Sequence, residues 1–409
     1  RRYLNLILCT LLFSAGFIVK PVSFIIPVAL GLFIMSQLEE KKISNLILTL
    51  LFISVAFILK TWWGFKIFGS YYFMLVGIVI MIFSGLLFLI IVTIRKDKIW
   101  HVLIICILWG FAEYLSSRFI SYPGLDLSFG FSYYSIFDVF LIVGDYPLAS
   151  IPILIISICI AYYFSKREQK YLVIVFFIIV LSWVSGIFVK HNIYPENIEA
   201  IETYTLTEKR CLIKSIETSK IKIISIQPNG APYIWALGMT DISGDIILLP
   251  ELALASASQN QNLVKKSVSE TSTNRNIPII SGIIEYESNE IYYNSIILFK
   301  DGEERIVYQK RNLLPIIERD FKKGKKKEIV TIKNRKFGFL ICFDAFFIKN
   351  SKRSGVLKAD YMLVPAHIKP AWGKQIKNDF EHSIDIQQRL FGKPYIVCNE
   401  FGDGPFLKK

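Results

Sequence analysis

The 409-residue sequence contains no CxxC pair and no cluster of histidine with cysteine. Its six cysteines and four scattered histidines have no metal-ligand spacing, which argues against a zinc centre or a disulfide framework. Three of the cysteines lie inside apolar runs, where a thiol behaves as a small hydrophobe. No glycine-rich phosphate loop and no internal repeat is visible, so neither a nucleotide cradle nor a repeat array is expected. Neither a metal nor a cofactor is expected. Charge is also sparse, at 20% of residues. The hydrophobic content of 53% and mean hydropathy of +0.46 exceed what a soluble domain usually carries.

That apolar excess sits before about residue 190, in runs at 3–19, 21–36, 43–60, 71–94, 99–117, 147–164 and 171–189. Each approaches the roughly 20 residues that a bilayer-crossing helix needs. The chain opens with Arg1 and Arg2, a long apolar run and then further runs, the pattern of a spanning helix rather than a cleaved signal. With the N-terminus in the cytoplasm, the inward segments 1–2, 39–42, 95–98 and 166–170 hold ten Lys/Arg. The outward connections hold Lys20, Lys60, Lys66, Arg118 and Lys190. This bias supports an N-terminus inside, and seven crossings then deliver the second half to the far side of the membrane. Trp62, Trp63 and the aromatic stretch 129–134 fit interfacial belts. Glu113 and Arg118 fall near the outer end of a span, where they either snorkel to the surface or line a polar path to a site.

The expected domains are therefore 1–190, a transmembrane helical domain of about seven spans, then a linker at 191–219 that mixes charge without period, then a catalytic domain at 220–409. In the last of these, strand-like runs recur at 221–226, 246–249, 277–284, 293–299, 337–342, 361–365 and 395–398. Helix-like segments at 259–275 and 375–391 alternate with them, which predicts an α/β layer fold. In the second helix Ile376, Phe380, Ile384 and Gln387 or Leu390 share one face. The chain carries a net charge of +14, and its densest cluster of positive charge falls in this half, at 322–327. Beside membrane spans such a cluster reads as a solvated face or a contact for anionic headgroups, not as a nucleic-acid site.

Three residues close strand-like runs and carry complementary chemistry: Glu251, Lys310 and Cys342. A thiol is a poor nucleophile until deprotonated and needs a base or a positive neighbour. Glu251 can take the thiol proton and return it to a leaving group, while Lys310 can favour the thiolate and stabilise an oxyanion. Taken singly, each has a bland reading, as a core thiol, a helix-start acid and a surface lysine. The set points to acyl transfer through an activated thiol.

Pro250-Glu251, then Tyr308-Gln309-Lys310 with Leu313 and Pro315, then Ile341-Cys342-Phe343-Asp344 resemble the three signature segments of the nitrilase superfamily, in order. The resemblance covers residues 220–402, and Arg389, Gly392, Lys393, Pro394 and the Asn399 to Gly402 segment look like the family's late segment. Within that superfamily the chain is most similar to the apolipoprotein N-acyltransferases. The N-terminal spans, Trp109 with Glu113 and Arg118, and Gln227-Pro228-Asn229 followed by Trp235 support that narrower likeness, and Glu318 matches a second active-site glutamate. The resemblance implies a multi-span helical domain followed by an α-β-β-α sandwich with a Glu-Lys-Cys triad. It implies Glu318, Phe343, Asp344, Trp235, Glu113 and Arg118 as substrate-binding or supporting residues. It also implies a ping-pong reaction: Cys342 takes a fatty acyl group from a phospholipid, then passes it to the amine of a diacylglyceryl-cysteine lipoprotein. The expected location is the bacterial inner membrane, with the catalytic half on the periplasmic side, acting as a monomer among membrane lipids.

Departures qualify that likeness. Phe343-Asp344 stands where Tyr-Glu is common in the acyltransferases, and the stretch 366–372 is not their usual one. The sequence stops at Lys409 before the last strands and closing helix of that family, from which a bare sheet edge, lower stability and weak activity are expected. Two other readings stand: a membrane-tethered amide or nitrile hydrolase, and an inactive relative serving as a binding or scaffold protein.

Overall fold

The computed structural model describes residues 2–18, 22–38, 42–95, 99–120, 126–131, 138–193, 200–207, 211–218, 221–227, 243–254, 261–288, 291–315 and 317–399. The chain divides into two compact units, Arg1–Ile193 and Tyr194–Lys409. Residues 400–409, where the bare edge was expected, lie outside the described residues.

The first unit is helical. Its long helices are α1 (Arg2–Ile18), α2 (Ile25–Leu38), α3 (Lys42–Thr61), α5 (Tyr71–Arg95), α6 (Ile99–Ile120), α8 (Asp138–Lys166) and α9 (Lys170–Ile193), with short helices α4 (Trp63–Phe68) and α7 (Leu127–Phe131) between them. They occupy the seven apolar runs. Among the described residues, four stretches are long and apolar enough to cross a bilayer: Ser44–Thr61, Tyr71–Arg95, Trp100–Arg118 and Asp145–Lys166. Leu4–Ile18, Ile25–Leu38 and Lys170–Val184 are shorter apolar helices. α8 breaks at Asp145 (φ 68°), two residues before Pro147, which lacks the N–H a continuous helix would use. Aromatic packing fills the interior: Phe33 stacks on Phe52 at 4.1 Å, and Phe13 lies 5.0 Å from Phe52. The outer faces carry Met81, Trp100, Ile107 and Phe176, all strongly exposed. In water that would be a large apolar liability; in lipid it is the ordinary state.

The second unit is an α/β domain built on two mixed sheets. The first has strand order β1-β2-β3-β4-β5-β6-β7, from β1 (Ala200–Thr207), β2 (Cys211–Thr218), β3 (Lys222–Gln227), β4 (Ile246–Leu248), β5 (Ile279–Ser288), β6 (Ile291–Lys300) and β7 (Glu303–Gln309). β4 pairs parallel with β3 and β5, and the other neighbours are antiparallel. The second sheet has order β11-β10-β9-β8, from β8 (Val330–Ile332), β9 (Arg335–Phe339), β10 (Tyr361–Ala366) and β11 (Tyr395–Asn399). Cys398 of β11 donates weakly to the carbonyls of Ile226 and Leu248, at 3.5 and 3.3 Å, so the sheets meet face to face.

The linker expectation for 191–219 fails. β1 and β2 form an antiparallel hairpin there and continue the sheet into β3. Their polar residues (Glu202, Thr203, Lys214, Ser215) hid the strand signal. A sheet's outer strands need not be apolar throughout, because water can cover a face that a central strand must bury. The central strands read correctly because they are buried: Ile246, Ile247 and Leu248 are all inaccessible. Helix α10 (Gln261–Arg275) places Val268 in a core with Ile247, Ile279, Ile283, Ile297 and Phe299. Helix α12 (Lys374–Phe391) buries Ile376, Phe380, Ile384, Gln387 and Leu390, the face expected from their spacing. Between β9 and β10 lies the short α11 (Ile348–Arg353).

Candidate active site

Glu251 sits just past β4, where the chain turns at Pro250 and Leu252 takes φ 57°. That turn rests on the backbone of β5: Gly282 N–H donates to Pro250 O at 3.1 Å, and Leu254 N–H donates to Gly282 O at 3.1 Å. A Cβ on Gly282 would lie 2.4 Å from Leu252 N and 2.6 Å from Pro250 O, so a side chain there pushes the Glu251 turn away. Gly282→Ala is expected to cost about 1–3 kcal/mol and to lower activity more than stability alone explains. Denaturation midpoints and single-turnover rates on one preparation check this; unchanged values would show that the turn relaxes freely.

Lys310 follows β7, and its N–H is held by Asn294 O at 2.8 Å. Its ammonium donates to Glu251 Oε1 at 2.7 Å and to Glu318 Oε1 at 2.9 Å. Asn294 Nδ2 bridges the same two carboxylates, at 2.8 Å to Glu251 and 3.0 Å to Glu318. Leu314 N–H holds the other oxygen of Glu318 at 2.7 Å. Lys310 is 1% exposed, Glu251 4% and Glu318 7%, so this is a buried ion cluster rather than a surface pair. Glu318 thus faces Lys310 and not the lysines of 322–327.

Cys342 opens a 3₁₀ turn (Cys342–Phe346) after β9, at φ 44° and 1% exposure. Positive φ is costly for a residue with a Cβ, of order 1–3 kcal/mol, and such strain is held only where surrounding packing enforces it. Here Ser383 Oγ donates to Ala345 O at 2.8 Å, Gln387 donates to the same carbonyl, and Phe346 packs on Phe380 at 5.6 Å. The Glu251 carboxylate, the Lys310 ammonium and the backbone N–H of His367 all act on the Cys342 thiol.

The electrostatics follow from this crowding. Burial pushes the Cys342 thiol well above its ordinary range and the Glu251 charge adds to the rise, while Lys310 and the His367 N–H pull it back in part. Burial also works against the Glu251 carboxylate, but the charge and hydrogen bond of Lys310, with His367 and Asn294, outweigh it and hold Glu251 below its usual value. Burial disfavours the Lys310 ammonium too, and the carboxylates of Glu251 and Glu318 overcome that and raise it well above normal. At neutral pH the resting cluster is therefore a protonated thiol, an ionised Glu251 and a charged Lys310. A buried base stands ready beside a thiol that ionises only when something accepts its proton.

The remaining residues singled out from the sequence fall into different places. Asp344 braces the segment after Lys310: its carboxylate accepts from Asn312 N–H at 2.7 Å, Arg311 N–H at 3.1 Å and Tyr308 OH at 2.9 Å. Burial pushes its carboxyl up to about 6, against the pull of Lys310 and those donors. Phe343 is fully buried and packs on Phe346 at 5.0 Å and Trp372 at 6.5 Å, a supporting place in the core. Trp235 lies outside the described residues. Glu113 is buried in the first unit, where Oε1 accepts from Trp109 Nε1 at 2.8 Å and from Leu127 N–H at 2.9 Å. It therefore fixes the start of α7 and does not snorkel. Arg118 lies over the Tyr114 ring, 5.3 Å from its centre.

Asn294 is the site residue that sequence reasoning missed. The signal was present, since Asn294 and Ser295 interrupt an otherwise apolar strand and are both buried. A buried amide in a central strand implies partners.

A family model described as carbon-nitrogen hydrolase matches residues 194–402. Among solved structures, a carbon-nitrogen hydrolase from Helicobacter pylori G27 is similar at 20% identity, covering 38% of this chain and 61% of that one, with a TM-score of 0.32. A mutant of the Nesterenkonia AN1 amidase from the nitrilase superfamily is similar at 19% identity, covering 40% of this chain and 66% of that one, with a TM-score of 0.32. The chain thus spans less than two thirds of either structure. A search of curated proteins finds no match.

Proposed function

The chain belongs to the carbon-nitrogen hydrolase family, and from that membership we propose that it is a membrane N-acyltransferase that moves a fatty acyl group from a phospholipid, through a Cys342 thioester, to the amine of a diacylglyceryl-cysteine lipoprotein. The observation that carries the reading is one buried cluster of Glu251, Lys310 and Glu318 around Cys342, in a chain that also has four helices able to cross a bilayer. Acyl groups large enough to need lipid as a solvent are the substrates that explain both halves. The proposed setting is the bacterial inner membrane with the catalytic unit outside the cytoplasm, as the distribution of Lys and Arg implies.

In the first half-reaction Glu251 takes the Cys342 proton as sulfur attacks the ester carbonyl. The oxyanion is met by the Lys310 ammonium, which Glu318 keeps charged. Collapse breaks the ester C–O bond, and protonated Glu251 returns the proton to the departing alkoxide, leaving a thioester and a lysophospholipid. In the second, the acceptor amine attacks the thioester, Glu251 takes a proton from nitrogen, and the C–S bond breaks. The thiolate recovers the proton and the amide leaves. Burial of Lys310 makes its charge worth more to the oxyanion than it would be in water.

The test uses the full chain in vesicles of phospholipid with one defined acyl chain. A hydroxylamine-labile adduct of that acyl mass on Cys342, discharged faster by a diacylglyceryl-cysteine peptide than by water, is the expected result. An adduct formed from short amides and discharged only by water would assign the amide hydrolase instead. No adduct from any donor would overturn both.

A further inference from the structure

The loop between β7 and β8 carries charge that this chemistry leaves unused. Lys322, Lys323, Lys325, Lys326 and Lys327 are all exposed. Among the described residues, none of the five ammonium groups has an ion-pair partner. The acids of the same stretch are engaged elsewhere: Asp320 pairs with Arg319 at 3.7 Å, Glu328 with Arg305 at 2.8 Å, and Glu318 with Lys310.

A run of like charges normally repels itself into an irregular tail. This one is tied down. Lys322 N–H donates to Tyr292 O at 2.8 Å, and Gly324 N–H donates to Lys310 O at 2.8 Å. Gln309 Oε1 accepts from the N–H groups of Lys325 and Lys326, at 3.2 and 3.1 Å, and Gln309 N–H donates to Lys326 O at 3.2 Å. A Cβ on Gly324 would lie 2.0 Å from Gln309 Cβ, so only glycine lets the loop lie this close to β7. Five cations without an ion-pair partner among the described residues are thus carried on a tied-down backbone that bonds directly to that of Lys310.

We propose that this loop is a docking surface for anionic phospholipid headgroups, which gathers donor lipid beside Lys310 and Cys342; the donor role rests on the acyltransferase reading. Lysine ammonium groups are compact charges suited to phosphate, and each is attracted to an anionic surface. Ile317, 44% exposed in the same connection between β7 and β8, offers an apolar side chain to a headgroup boundary. No tyrosine or tryptophan is interleaved among the five lysines, so the stacking platform that single-stranded nucleic acid uses is missing. The chain's own bilayer-length helices make lipid the polyanion always at hand.

Amine-reactive footprinting of the full chain in vesicles tests this. Labelling of the five lysines should fall at least about threefold when the vesicles contain about 30% anionic phospholipid instead of neutral lipid only. The loss should reverse at about 1 M salt, where charge attraction is screened within a few ångströms. Lys266, whose side chain is 75% exposed on α10, should label equally in both. Equal labelling of the loop in both vesicles, equal protection of Lys266, or protection by a soluble oligonucleotide as strong as by anionic lipid would each overturn the proposal. Replacing all five by Gln should also bring the ratio of Cys342 acyl loading, anionic over neutral vesicles, close to one; a ratio kept at the parent value would overturn the donor role. If Cys342 loads in no vesicle, the reaction reading falls while the footprint still decides the docking surface.

Discussion

On the thioester route proposed above, Cys342→Ala is expected to abolish acyl capture, with a loss of at least about 10³-fold in single-turnover rate, because only the Cys342 sulfur can form that intermediate. The fold should survive. Alanine removes one sulfur from a site already held at φ 44° by the Gln387, Ser383 and Phe380 contacts, and it meets the same backbone strain that cysteine does. Urea midpoints within about 1.5 kcal/mol of the parent, together with loss of the hydroxylamine-labile adduct, are the expected pair of results. Parent-like acyl transfer by the alanine variant would remove Cys342 from the reaction, whatever its surroundings suggest.

Lys310→Met is expected to have the larger effect on stability. The substitution keeps length and apolar bulk but leaves Glu251 and Glu318 buried together, with only Asn294 between them. Removing one partner of a buried ion cluster typically costs about 3–5 kcal/mol, because the stranded charge is uncompensated. The pH dependence should then reverse sign. In the parent, Glu251 has a depressed folded pKa, so its contribution is present above the unfolded value of about 4.3 and is lost as pH falls through the folded one. Lys310 has a raised folded pKa, so its contribution is present below about 10.4 and is lost as pH rises through the folded one. Without the lysine, burial is no longer outweighed and raises the Glu251 carboxyl above its unfolded value. The variant should gain stability as pH falls from about 7 toward 4, where the parent is flat or falling. Adding Glu251→Gln should recover part of the stability and none of the activity. A variant whose midpoint falls with acid in parallel with the parent would mean that the carboxylates find other partners, and that Lys310 is not the keystone of the cluster.

The residues differ in how readily their sequence betrays their place. A bilayer-length apolar run is a local property, so the helices at Tyr71–Arg95 and Asp145–Lys166 were legible without any contact information. The central strands were legible for the same reason, since burial on both faces leaves them apolar throughout. Glu251, Lys310 and Cys342 stood out as polar groups closing such runs, in an order that resembles one superfamily. The edge hairpin β1–β2 was not legible, because polar strands and linkers share a composition.

What the sequence determined by itself was the superfamily and the division into an apolar helical half and an α/β half. The first follows from the signature segments in their order, the second from residue types and periods counted along the chain. Tertiary structure decided everything that joins distant positions. It puts Lys310 on Glu251 across 59 residues and Asn294 on Glu251 across 43. It sets Glu113 on the backbone of α7, and lays the backbone of a lysine run against Gln309. No local period encodes such pairs. Their ionisation is set by exclusion from water and by the charge placed opposite, and both exist only once the two sheets have closed.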